Sequence, residues 1–200
     1  MNDRLLITLE ILVVIVGPLL FLYLKGPWPL RRTLPSLLVL PLLWYLTYAP
    51  THELSHVAGT YLVGGRVVDI QWIPRFWRGE FGQAWITPVG LSSTWQSWIM
   101  TASPYILDAV SLGVGHSLLR RRPPETPFVA GLLLMILCLR PAFDFVCETL
   151  AFAQGRRADL FHLAQGVGAP ALGILMVVCI GLSLAAIASI LHASTKAPEA

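Results

Sequence analysis

The chain has 200 residues, of which 56% are hydrophobic and 12% charged, with a formal charge of +3. Charge that sparse, against roughly one-quarter in soluble domains, excludes an ordinary water-soluble globule and points to a chain solvated by lipid. Its Lys and Arg residues are scattered between apolar runs with no basic block, which excludes a nucleic-acid groove and suits contact with the anionic headgroups of a lipid bilayer.

In chain order, the first apolar run is Leu5–Leu24, which is too long for a signal peptide and lacks a small-residue cleavage site, so it is expected to persist as a helix. A hydrocarbon core about 30 Å thick needs roughly 20 apolar residues per helix. On that measure the chain is expected to cross the membrane about five times, over Leu5–Leu24, Leu34–Val63, Leu91–Leu119, Phe128–Phe152 and Ala169–Leu191. Gly26-Pro27-Trp28-Pro29 separates the first two runs, Arg120 to Pro124 the third from the fourth, and Gly155-Arg156-Arg157 follows the fourth. The reading is an all-α, multi-pass integral membrane protein with a single transmembrane domain over residues 1–200. Cys138, Cys147 and Cys179 lie inside apolar runs without paired spacing and read as packing residues.

Residues 64–90 break the pattern. Val67, Val68, Ile70, Trp72, Ile73, Phe76 and Trp77 are β-formers interrupted by Arg66, Asp69 and Arg75, and Arg78-Gly79-Glu80 suits a turn into Phe81 to Val89. One or two hairpins are expected here as a small membrane-associated insertion, lying at the interface or under the helices because strand edges cannot face lipid.

The second run carries His52-Glu53-Leu54-Ser55-His56. A 3.6-residue period sets His52 and His56 on one helical face, where both can ligate one zinc ion. Glu53, beside them, can take a proton from water attacking a carbonyl and return it to the leaving amine. Polar residues inside an apolar run are costly and are usually retained for function. Pro50 removes a backbone donor just before His52, which predicts a kink and a nearby partner for the freed carbonyl.

Two histidines need a third protein ligand. Of the five aspartates, Asp3, Asp69 and Asp159 lie outside the expected spans, leaving Asp108 and Asp144. Asp144 follows Arg140-Pro141 in the fourth run, and its alternative role is an ion pair with Arg140 at i,i+4 spacing. Asp108 follows Pro104 in the third run, and its alternative role is to bond an exposed backbone group or orient a ligand.

Taken together, residues 34–152 resemble the core of the site-2 protease family of intramembrane zinc metalloproteases: a helix with His-Glu-x-x-His, a hairpin region, a helix opened by a Gly-Pro-like motif and a helix with a Pro-then-Asp motif. The resemblance implies that His52, His56 and Asp144 ligate one Zn2+ per chain, that Glu53 is the catalytic base, and that the substrate is a transmembrane or membrane-adjacent peptide. Ser55 stands where the family often has Gly, Phe145 follows Asp144 where Gly is usual, and Ala102-Ser103-Pro104 replaces Gly-Gly-Pro. The rival readings are a non-catalytic zinc-binding homologue and a metal transporter. Transport favours ligands stacked along a path, whereas this chain concentrates them beside a glutamate suited to hydrolysis. Glu10 and Glu148, the other acids within apolar runs, are expected to make interior hydrogen bonds.

Overall fold

A computed structural model describes residues 12–26, 28–73, 84–121 and 124–194. The start of the first expected span, Glu10 and the Arg78-Gly79-Glu80 turn lie outside the described residues. Helix α1 covers Leu12–Lys25, opening in π-helical turns over Leu12–Val16, and α2 covers Leu30–Leu62. Strands β1 (Arg66–Gln71) and β2 (Trp85–Val89) follow, then α3 (Thr94–Arg121), α4 (Pro127–Ala153), α5 (Asp159–Val167) and α6 (Ala169–Ser194).

Three of these helices, α2, α4 and α6, are long and apolar enough to cross a membrane. Helix α3 has the length, but Gln96, Ser97, Thr101, Ser103, Asp108 and Arg121 dilute its apolar character, and the described part of α1 is short. Among the described residues the helices fall where expected, whereas three of them, not about five, qualify as membrane spans by length and composition.

Helix α4 shows how local chemistry sets its path. Thr126 caps its start by accepting a hydrogen bond from the Val129 amide, with Pro127 in the first turn where a missing N–H costs nothing. Pro141 cannot donate within the helix and its ring opposes the carbonyl one turn back. The chain absorbs this in a π-helical stretch over Met135–Leu139, immediately before Arg140. The helix ends in a Schellman turn: Gly155 takes φ +70°, its amide bonds Phe152 O at 2.9 Å and the Arg156 amide bonds Ala151 O at 3.0 Å.

The chain divides into two compact units, the first drawn from residues up to Tyr45, Asp108–Phe143 and Ile180 onward, the second from Leu46–Leu107 and Asp144–Cys179. In the first, the Tyr23 hydroxyl donates to Pro127 O at 2.9 Å across a space that Gly131 leaves open, and Trp44 meets Phe143 edge-on at 5.4 Å. Asp108 is fully buried and pairs with Arg140 at 2.7 Å, so Arg140 is partnered across helices and not with Asp144 one turn along its own helix.

The second unit holds the hairpin and the His-Glu-x-x-His segment. Strands β1 and β2 pair antiparallel, Arg66 opposite Val89 and Gln71 opposite Trp85, with an irregularity between Val67 and Asp69. Pro88 is tolerated because a two-stranded sheet has only edge strands. Gly64 (φ +82°) and Gly90 (φ +80°) turn the chain into and out of the hairpin. Gln96 ties its base together, donating to Val63 O at 2.8 Å and accepting from the Ser92 and Ser93 amides. At Gly59, α2 approaches α3 so closely that a methyl group would overlap Ser103 Oγ and sit 3.0 Å from Met100 Cα.

That contact predicts opposite results at two helical glycines. Gly59→Leu is expected to lose about 1–3 kcal/mol through overpacking, seen as a lower thermal unfolding midpoint in detergent. Gly173→Ala, with open space around the new methyl, is expected to be neutral or to gain up to about 1 kcal/mol of helix propensity.

Candidate metal centre

Helix α2 runs without interruption through Pro50 and carries His52 and His56 one turn apart, with Glu53 next to His52. Hydroxyls along it bond carbonyls one turn back, Thr51 to Thr47 O at 2.8 Å, Ser55 to Thr51 O at 2.9 Å and Thr60 to His56 O at 2.8 Å. These three hydroxyls thus each have a local acceptor on the helix.

The two imidazoles are oriented from behind. His56 Nδ1 lies 2.9 Å from Met100 O. A carbonyl only accepts, so Nδ1 carries the proton and Nε2 keeps its lone pair. His52 Nδ1 lies 2.8 Å from Asp144 Oδ2, while Asp144 Oδ1 accepts from the Tyr48 hydroxyl at 2.6 Å. Asp144 is 1% exposed and acts as a fixed acceptor, so His52 also presents an unprotonated Nε2.

Both Nε2 atoms converge on one carboxylate oxygen. His52 Nε2 and His56 Nε2 are 3.1 Å apart, and Asp159 Oδ2 lies 3.3 Å from the first and 2.9 Å from the second. Three electron-rich atoms at such separations repel one another unless a cation or protons lie among them. Ligands of a tetrahedral zinc, about 2.0–2.1 Å from the metal, sit about 3.3 Å from each other, close to these spacings. His52, His56 and Asp159 therefore form a group that could hold a metal ion. Where protons take that place, burial disfavours the Asp159 charge, but hydrogen bonds and charge from His52 and His56 outweigh it and hold the carboxyl well below its usual range.

Asp144, expected as the third ligand, is not a member of this group: it touches His52 through the opposite ring nitrogen. Asp108 is engaged with Arg140. Asp159, set aside on sequence because it lies outside the apolar runs, is brought in by the turn at Gly155 and the short α5 that follows. It is the first residue of α5, where a carboxylate is favoured by the helix dipole, and fully buried Leu160 anchors it. The Gly155-Arg156-Arg157 break before it marks a turn but does not distinguish Asp159 from any solvated acid on a connecting segment. Tyr48 and the Met100 carbonyl have no signature of their own.

Glu53 is buried and within electrostatic reach of His52, His56, Asp159 and Asp144. The Tyr105 ring lies edge-on to His52 at 6.3 Å and stacks on Phe145 at 6.4 Å. Comparisons with protein-family models, curated proteins and solved structures find no match to this chain.

Because Tyr48 donates to a buried carboxylate, Tyr48→Phe is expected to destabilise the folded chain by about 1–3 kcal/mol, the cost of leaving a buried acceptor short of a donor. Thermal unfolding in detergent measures it, with Tyr61→Phe on the exposed face of α2 as the neutral control.

Proposed function

We propose that the chain is a multi-pass integral membrane protein that hydrolyses peptide bonds of transmembrane or membrane-adjacent substrates at a single zinc centre. The observation that carries this reading is the convergence of His52 Nε2, His56 Nε2 and Asp159 Oδ2 beside a buried glutamate. Three apolar helices support the membrane setting, and the site-2 protease resemblance in the sequence points to the same chemistry.

In this reading His52, His56 and Asp159 hold the metal, and Asp144 and Met100 O fix the two imidazole tautomers. A bound zinc ion would supply Lewis acidity toward a peptide carbonyl and make water a competent nucleophile near neutral pH. Glu53 handles the proton, accepting it from the attacking water and delivering it to the departing amine. The apolar helices limit water around the site to what the reaction consumes. The hairpin edge suits an extended substrate backbone, which a peptide must adopt before its carbonyl can be attacked.

Glu53→Gln is expected to keep zinc and lower cleavage of a model transmembrane peptide by about 10²- to 10⁴-fold; wild-type turnover would remove Glu53 from the mechanism. For the ligands, Asp159→Asn is expected to weaken zinc more than Asp144→Asn, whose loss should be about 10- to 100-fold, as for a group that orients a ligand. Chelator competition on monodisperse protein reads both. The reverse order would return the third ligand to Asp144.

A further inference from the structure

Asp159 reaches the imidazoles from α5, a helix of nine residues, and the fold gives that helix an unusually close neighbour. A methyl group added at Gly166 would overlap the Trp98 indole, meeting Cζ2, Cε2 and Cη2 at once. At Gly155 and Gly168, which connect α5 to α4 and α6, a methyl would meet nothing. Glycine is among the poorest helix formers, and inside α5 it gives the indole direct access to the backbone. Asp159 and Gly166 are seven residues apart, so they lie on the same face of the helix, about 10 Å from one another along its axis. Ala158, at the N-terminal cap, makes no side-chain cap bond, so the Asp159 end is not held by a cap of its own.

Trp98 stands on α3 two residues before Met100, whose carbonyl orients His56. One stretch of α3 thereby meets both partners of the closest approach in the cluster, His56 Nε2 to Asp159 Oδ2 at 2.9 Å. Met100 holds the ring, and Trp98 meets the helix that carries the carboxylate. Resting on the metal centre proposed above, we propose that the seat of Gly166 on the Trp98 indole fixes Asp159 at the ligand position, which makes Trp98 and Gly166 positioning residues of the centre. A metal–ligand distance tolerates about 0.2 Å of error. A short helix moves as a stiff rod, so a side chain wedged between Gly166 and Trp98 tilts α5 and takes the carboxylate out of reach. Shortening the indole to leucine leaves room for that wedge.

The test titrates the full chain in detergent with Zn2+ against a competing chelator, after circular dichroism and gel filtration confirm that each variant is helical and monodisperse. Gly166→Ala and Gly166→Val are expected to weaken zinc in that order, the second by about 10- to 100-fold, the size of a lost orienting group. Gly173→Ala, a methyl in open space on α6, should change nothing. With Trp98→Leu present, the cost of Gly166→Val should fall to within about twofold, the scatter of uncoupled sites, a rescue that general destabilisation does not produce. With Asp159→Asn present it should fall equally far, read with Cu2+, which imidazoles hold more tightly than zinc. Gly166→Ala carries the same comparisons where Gly166→Val does not fold. Wild-type zinc affinity in the Gly166 variants overturns the seat, as does an undiminished loss with Trp98→Leu or Asp159→Asn present. Asp159→Asn that binds zinc like wild type overturns the ligand assignment and the seat with it, and wild type that takes no zinc overturns the centre itself.

Discussion

The arrangement depends on where two protons sit. Met100 O and Asp144 Oδ2 are acceptors, and by taking the Nδ1 protons of His56 and His52 they turn both Nε2 lone pairs toward the same point. Helical spacing alone sets two imidazoles on one face of α2 without deciding which nitrogen each presents. The acceptors come from α3 and α4, so the tautomers are a tertiary property. Gly59 has a part in this, because the close approach of α2 to α3 at Ser103 and Met100 is also what brings the Met100 carbonyl under His56.

The parts of this structure that were legible in the sequence are those governed by local period and composition. The apolar runs place the helices to within a few residues, and β-branched and aromatic residues mark β1 and β2. His52, Glu53 and His56 stand out because polar groups in an apolar run are costly. Asp159 was not legible for the same reason inverted: outside the runs, an acid on a connecting segment carries no such cost and looks like any solvated residue. Only the turn at Gly155, which reverses the chain after α4, carries it back to the imidazoles. The pairing of Arg140 with Asp108 is hidden in the same way. Spacing along one helix suggests Arg140 with Asp144, yet the fold joins Arg140 to Asp108 on α3 and leaves Asp144 for His52.

Each aspartate thereby acquires a role that its environment enforces. Asp108, fully buried, needs a cation at contact distance and has one in Arg140, since an unpaired charge in that setting would be far more costly than the pair. Asp144, equally buried, is held by an N–H and an O–H donor and orients the His52 ring. Asp159 is the one of the three whose side chain keeps contact with the surface.

That difference in exposure bears on the proposed chemistry. The Asp159 side chain is 27% exposed, against 13% for His52 and 7% for His56, so the cluster opens on the side of α5 and closes toward α2. A peptide hydrolase in an apolar bundle must admit water to one face of its centre while keeping the other dry, since a wet site would weaken the electrostatic interactions it relies on. A third ligand taken from a membrane-spanning helix would enclose the centre in side chains on every side. Taken instead from the first turn of a short helix that follows a surface turn, the carboxylate stands on the more exposed side of the cluster and the imidazoles on the less exposed side. Under the proposed hydrolase reading, the placement of Asp159 outside the apolar runs, which hides it in the sequence, is also what would give water a side from which to enter.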